Sequence, residues 1–277
     1  MKERITLTLD SDLIRDIDSR IDGFQIKNRS HAIELLLFSA LSRNCPRKAV
    51  ILAAGSRTIQ GYEEMLKPMA EVNKRPVLEH NINLLKKHNI KDIIITVGYK
   101  GREVKSYFQD GSRFGVRITY IEEDPAKLSG TAGPLRLMKD YLTDSFIMLY
   151  GDNLYELDIL DMYSFHKKNK AEATVALKIM GGDVSKYGIV ELKGNLVTNF
   201  LEKPSSGVKM QLVNSGMFIL EPAVLELVPK KGFSMLEEDV FPRLVKERKL
   251  FGYPFDGQWF DLLDKESYEV AKKTWKN

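Results

Sequence analysis

The stretch KAVILAAGSR, residues 48–57, decides how the rest of the chain is read. From Ala49 to Ala54 no polar residue interrupts it, the pattern of a strand buried on both faces rather than one alternating between core and water. Gly55 and Ser56 then make a small-residue turn and Arg57 follows at once, which is how a phosphate-cradling loop begins. Yet the turn holds a single glycine.

Outward from this strand the rhythm is strand, helix, strand, helix. PVLEHNINLLKKHN (76–89) predicts an amphipathic helix, IIITVGY (93–99) a strand, GREVKSYFQD (101–110) a short helix and VRITYIE (116–122) another strand. TAGPLRLMKDYL (131–142) reads as the next helix and SFIMLY (145–150) as the next strand. Parallel neighbours need a crossover, so the alternation predicts an α/β fold, a Rossmann-like, mainly parallel sheet with helices on both faces. Ligands of such sheets bind outside the carboxyl ends of the strands, where both the Gly55 turn and Gly151-Asp152 fall. The second half (ATVALKI, GIVEL, LVTNFLEKP, NSGMFIL, LFGYPFDGQWFDLL) predicts strands with fewer helices between them. It reads as a mixed C-terminal extension that closes over the site from one side.

A chain of 277 residues with 43% apolar content can bury one sizeable core and leave some residues for an appendage. Its 42 basic and 38 acidic side chains nearly balance, so total charge forces neither a nucleic-acid nor a membrane partner. One cysteine, Cys45, excludes an internal disulfide and fits a reducing compartment. The charged, alternating start MKERITLTLD has no signal-peptide core, and no apolar run approaches the roughly 18 residues of a membrane span. The expectation is a soluble, cytoplasmic protein without a membrane partner.

Residues 48–277 resemble the sugar-1-phosphate nucleotidyltransferases, the nucleotide-sugar pyrophosphorylases. The resemblance lies in AVILAAG, Lys67-Pro68, VGYKG, GTAGPL, YGDN, YGIVEL, EKP (202–204), VNSGMFILEP and GYPFDGQWFDL, all in one order. It implies that a sugar-1-phosphate attacks the α-phosphorus of a nucleoside triphosphate (NTP) and expels pyrophosphate, giving a nucleotide sugar. Two polyanions meet while negative charge builds on the leaving group, so cations and metal carry the chemistry. By resemblance, Asp152 and Asp261 hold Mg²⁺, Arg57 and Lys67 act on the phosphates, and Lys203 holds the sugar phosphate. Ala53, Ala54, Gly55, Gly98, Gly130, Thr131 and Ala132 fall where the family binds nucleotide; Gly188, Glu202 and Asn214 fall where it binds sugar. Each has a plainer reading: an aspartate can cap a helix or sit in a turn, and most lysines are solvated surface groups.

The sequence departs from the family in one place. The family loop reads G-x-G-T-R-x-x-P; here only 11 residues, Ser56 to Leu66, separate Gly55 from Lys67, and the simplest alignment deletes the x-G. Backbone donors and a glycine free to take positive φ are lost, while the arginine and lysine remain. Nucleotide binding is expected to survive this, turnover less so, unless Gly61 and Tyr62 rebuild the loop by another path.

Residues 1–44 have a resemblance of their own. ITLTLDSDLIRDIDSRI and KNRSHAIELLLFSAL look like a ribbon-helix-helix domain: a strand over Arg4–Leu9, a helix after Asp10 or Ser11, and a second helix capped by Ser30. The likeness implies a homodimer, since so short a segment cannot build a core alone. It places Arg4, Thr6 and Thr8 toward the major groove of a double-stranded DNA operator, and Arg29 and Ser30 near phosphate. Residues 1–46 carry seven basic and seven acidic groups, however. Two functions therefore stand side by side: a nucleotidyltransferase with a dimerising appendage, or a transcriptional regulator sensing a nucleotide or nucleotide sugar with a degenerate enzyme domain.

Overall fold

The computed structural model describes residues 5–21, 26–42, 45–55, 58–181, 184–202 and 210–276. The chain divides into two units, Met1–Asn44 and Cys45–Asn277. No helix among the described residues is long and apolar enough to cross a membrane.

In the first unit, helix α1 (Ser11–Asp18) starts at Asp10, whose carboxylate accepts the Asp12 N–H at 2.8 Å. Helix α2 (Arg29–Ser42) is capped by Asn28, not Ser30: the Asn28 side chain accepts the His31 N–H at 2.9 Å. Among the described residues, 5–10 have no ladder partner, and Ile5, Thr6, Leu7 and Thr8 are all exposed rather than alternating. Arg4 lies outside the described residues.

In the second unit, β1 (Lys48–Leu52) is the doubly buried strand the sequence predicts. The hairpin β2 (Thr58–Ile59) and β3 (Tyr62–Leu66) follows, then the short pair β4 (Glu71–Val72) and β5 (Arg75–Pro76), and α3 (Val77–Lys87). The chain continues through β6 (Asp92–Val97), α4 (Gly101–Phe108), β7 (Arg117–Glu122), β8 (Phe146–Tyr150), β9 (Asn153–Tyr155) and α5 (Ile159–Lys168). It ends with β10 (Ala173–Met180), β11 (Ile189–Lys193), β12 (Leu196–Leu201), β13 (Gln211–Leu220), α6 (Phe241–Lys246), β14 (Leu250–Pro254), β15 (Trp259–Asp261) and α7 (Lys265–Thr274).

Among the described residues one nine-stranded sheet runs in the order β10-β14-β12-β11-β13-β8-β1-β6-β7. Strands β8, β1, β6 and β7 are parallel neighbours. From β13 outward the pairing is antiparallel except between β10 and β14. The sheet is thus mixed, not mainly parallel: hairpins such as β11–β12 need no crossover, so half of it pairs antiparallel.

Both faces of β1 are covered, which explains its unbroken apolar reading. Ala49 and Ile51 join Ile93, Ile95, Ile147 and Leu149 in a core with Leu78, Ile82 and Leu85 of α3 and Val104 and Phe108 of α4. Val50, Ile94, Phe146 and Met148 face Leu135, Met138, Phe241 and Leu244 on the other side. Each fully buried Ile or Leu there contributes on the order of 1.5–3 kcal/mol.

The segment expected as an α-helix over 131–142 is a 3-10 helix over Gly133–Met138. The N–H groups of Ala132 and Gly133 donate to Ser234 O at 3.0 and 3.3 Å, which ties the start of the segment to a neighbouring loop, and Pro134 supplies no donor.

Candidate functional site

A cavity of about 480 Å³ opens at the carboxyl ends of β1, β6 and β8, lined in part by Gly55, Lys67, Thr96, Gly130, Thr131 and Asp152. Its floor is the turn after β1. The Ala53 N–H donates to the Thr96 carbonyl at 3.2 Å and to Thr96 Oγ1 at 3.1 Å, and the Ala54 N–H donates to Thr96 Oγ1 at 3.2 Å. These two donors are therefore turned inward, away from any ligand. Gly98 is needed for this packing, because a Cβ there would stand 2.8 Å from Ala54 O. Gly55 faces open space, with nothing within 4 Å of the Cβ it lacks.

One wall is the Gly130–Gly133 segment, clasped by residues 234–237. Gly130 has φ +84°, and a Cβ on it would lie 2.2 Å from Ser234 O. Thr131 Oγ1 accepts the Leu236 N–H at 2.8 Å and donates to the buried Glu237 carboxylate at 2.7 Å. The Tyr150 hydroxyl donates to the same carboxylate. Burial, and then the Glu237 charge, push the Tyr150 phenol well above its usual range.

The two aspartates are brought together by strand register. Asp261 ends β15 directly opposite Asn153 of β9, so it stands beside Asp152. This small ladder is pinned to β13: Asn153 Nδ2 and Trp259 Nε1 donate to Ser215 O at 3.1 and 3.0 Å, and the Tyr155 hydroxyl donates to Gly216 O at 3.0 Å. Lys67, just past β3, places Nζ 3.8 Å from Asp152 Oδ2. Desolvation and the Asp152 charge push the Asp261 carboxyl up to about 7, with Lys67 opposing the shift. Two adjacent carboxylates with one cation between them are short of positive charge, and the hard oxygen donors suit a divalent ion such as Mg²⁺. No group of three or more metal-ligating side chains occurs among the described residues, so phosphate oxygens or water would complete the shell.

The expected sugar-side residues also meet. Ile189 lies opposite both Leu201 and Val213, which aligns Gly188 with Glu202 and Asn214. The Asn214 N–H donates to Gly188 O at 2.8 Å, and a Cβ on Gly188 would stand 2.8 Å from Glu202 Oε2. These three lie outside the lining of the 480 Å³ cavity. Arg57 and Lys203 fall outside the described residues.

Several lining residues carried no sequence signal. Thr96 sits within an apolar strand, and Thr58, Gln60, Phe233 and Met235 lie in loops or short strands with no motif. In the first unit, Arg29 is bound bidentately to Asp18 at 2.8 and 2.6 Å, which engages the guanidinium expected near phosphate. A larger cavity of about 1000 Å³, between α3, α7 and the ends of β10 and β14, contains none of the predicted residues.

Residues 48–277 match the nucleotidyl transferase family. The UTP–glucose-1-phosphate uridylyltransferase of Synechocystis is 34% identical over 235 residues, covering 78% of this chain and 60% of that protein. A protein of Bacillus subtilis named probable glucose-1-phosphate cytidylyltransferase is 29% identical over 252 residues, covering 82% and 96%. In fold, the HddC crystal structure from Yersinia pseudotuberculosis superposes with a TM-score of 0.71 at 21% identity, covering 83% of this chain and all of that one. The chain thus spans about 60% of the length of one curated relative and nearly all of another.

Proposed function

The chain belongs to the nucleotidyl transferase family over residues 48–277, and on that premise we propose that it transfers a nucleotidyl group from an NTP to a sugar-1-phosphate. A phosphate oxygen of the sugar-1-phosphate forms a bond to the α-phosphorus, the bond from that phosphorus to its β-bridging oxygen breaks, and pyrophosphate leaves. The relatives named for uridylyl and cytidylyl transfer to glucose-1-phosphate support this class of reaction.

The observation that carries the proposal is the meeting of Asp152, Asp261 and Lys67, of which Lys67 and Asp152 line the cavity. Asp152 and Asp261 would hold Mg²⁺, which when bound neutralises phosphate charge and orients the leaving group. Lys67 offers a compact point charge to the phosphate chain, suited to a group that moves during reaction. The Gly130–Thr131 wall, locked by Glu237, gives the nucleotide a rigid surface, and Gly188, Glu202 and Asn214 supply backbone, carboxylate and amide for sugar hydroxyls. Arg57 and Lys203 join the phosphate-binding set in this reading, in a cytoplasmic setting where NTPs are made.

Incubation of the full chain with ATP, GTP, CTP, UTP and dTTP against a panel of sugar-1-phosphates, with Mg²⁺ and pyrophosphate detection, tests this. Turnover of at least one pair that is lost on chelation is the expected result. No pyrophosphate from any pair sinks the enzyme reading and leaves a ligand sensor.

The first unit supports a homodimer through residues 1–44. Ile5, Leu7, Leu13 and Leu37 are 68%, 50%, 48% and 47% exposed, a large apolar share for two short helices and a tail. A ribbon-helix-helix pairing would cover them. The regulator reading rests on exposed Thr6 and Thr8, while the Arg29–Asp18 pair counts against a phosphate contact from Arg29.

A further inference from the structure

The sequence between Gly55 and Lys67 is shorter than the motif G-x-G-T-R would make it, which removes backbone donors. Residues 56–57 lie outside the described residues, and the chain is described again from Thr58. Thr58 and Ile59 form the short strand β2, with a break in register between them, and Gln60 makes an isolated parallel bridge to Asp264. Ile59 is fully buried among Leu262, Tyr268 and Ala271. Thr58 and Gln60, on either side of it in the chain, both line the cavity with Gly55, Lys67 and Asp152. Among the described residues, neither the Thr58 hydroxyl nor the Gln60 amide has a hydrogen-bond partner.

Their position is fixed by backbone bonds. Thr58 pairs with Leu66, the residue before Lys67, and Thr58 and Lys67 both line the cavity. Gln60 is bridged to Asp264: its N–H donates to Leu263 O at 3.4 Å, and its carbonyl accepts the Lys265 N–H at 3.0 Å. Gly61, at φ +91°, turns the chain directly afterwards. The Tyr62 hydroxyl donates to Glu269 at 3.0 Å, and Lys265 lies over the Tyr62 ring at 5.4 Å. The segment is therefore anchored on three of its residues before any ligand arrives.

We infer that Thr58 Oγ1 and Gln60 Nε2 bind the phosphate chain of the nucleotide in this protein, side-chain donors standing in for the backbone donors of the missing loop residues. The inference rests on the nucleotidyl-transfer reading and adds to it which groups recognise the β- and γ-phosphates. A hydroxyl and a primary amide both donate to phosphate oxygen, and hydrogen bonds to charged partners are the stronger kind.

Titration calorimetry with inorganic pyrophosphate and Mg²⁺ tests it independently of the base. Thr58→Val and Gln60→Met are compared with the wild type and with Thr58→Ser, which keeps the hydroxyl. The two deletions of a donor should each weaken pyrophosphate binding about tenfold, as loss of one hydrogen bond to a charged group implies. Thr58→Ser should bind as the wild type does. The monophosphate of the preferred base should bind equally to all four proteins. Wild-type pyrophosphate affinity in both Thr58→Val and Gln60→Met overturns the inference while leaving the enzyme reading intact. An equal loss for the monophosphate also overturns it, since the two side chains would then be reading base or ribose. A wild-type protein that binds neither pyrophosphate nor any of the five NTPs removes the nucleotidyl-transfer reading, and this inference with it.

Discussion

Asp261 lies directly across a two-stranded ladder from Asn153, and that single pairing seats it beside Asp152 although more than a hundred residues separate the two aspartates in the chain. The pairing makes the acidic site a property of tertiary structure, and its members can be tested one at a time.

Asp152→Asn should reduce Mg²⁺-dependent turnover by two orders of magnitude or more, about 2.7 kcal/mol of transition-state stabilisation. Removing one of two adjacent like charges should leave thermal stability at neutral pH unchanged or slightly higher. Steady-state kinetics beside a melting curve check both halves, and a fully active Asp152→Asn protein rejects the metal assignment.

Gly130→Ala should be strongly destabilising. The methyl would stand 2.2 Å from Ser234 O, on a residue with φ +84°. A left-handed non-glycine residue costs roughly 1–3 kcal/mol before the clash is counted. Chemical denaturation should show that loss, and nucleotide binding should fall with it because the cavity wall moves. Gly194→Ala, at φ +61° with nothing within 4 Å, isolates the backbone cost from the clash.

Acid should destabilise the second unit through Glu221. Burial raises this carboxyl's pKa, but hydrogen bonds from His166, Lys167 and Ser145 outweigh it and hold the group down at about 2, against 4.5 in its ordinary state. A depressed folded-state pKa means the stabilisation is complete above about pH 4.5 and is lost as pH falls toward 2. The contribution is about 1–2 kcal/mol once solvent screening of this partly exposed group is allowed for. Glu221→Gln should lower the melting temperature at pH 7 and flatten its fall between pH 5 and pH 3; an unchanged slope contradicts the assignment.

Ile5→Glu combined with Leu7→Glu should reduce self-association of the full chain, measured by light scattering, while nucleotidyl transfer per chain stays the same. Both side chains are at least half exposed within the single chain. A dimer as tight as the wild type's would place the interface elsewhere.

Sequence reading reached the doubly buried strand β1 and the helices over 76–89 and 101–110 because burial leaves its mark on a long run. It expected a mixed C-terminal extension but not that antiparallel pairs make up half of the sheet, since a strand buried on both faces looks the same whether its neighbour is parallel or antiparallel. Asp152 and Asp261 were found by motif, but their contact depends on the register of Trp259–Asp261 against Asn153–Tyr155, which no local pattern encodes. The 3-10 helix over Gly133–Met138 escaped because Ser234 O, a hundred residues away in the chain, holds its first donors. Asn28 displaced Ser30 as the cap of α2 because both are good cap residues and only geometry chooses between them. Thr58 and Gln60 had no motif at all: they meet the cavity only through the folded course of the chain before Lys67.

The bridge from Gln60 to Asp264 also sets an order of events in synthesis. The chain emerges at roughly 5–20 residues per second, so the β1 turn is made about ten seconds or more before the segment that anchors it. Until Asp261 and Leu263 leave the ribosome there is no second carboxylate and no partner for the Gln60 backbone. A nascent chain arrested after β14 should therefore hold the central parallel strands yet bind no nucleotide. On the proposed reading, the acidic pair and the Gln60 bridge are thus the last parts of the site to form.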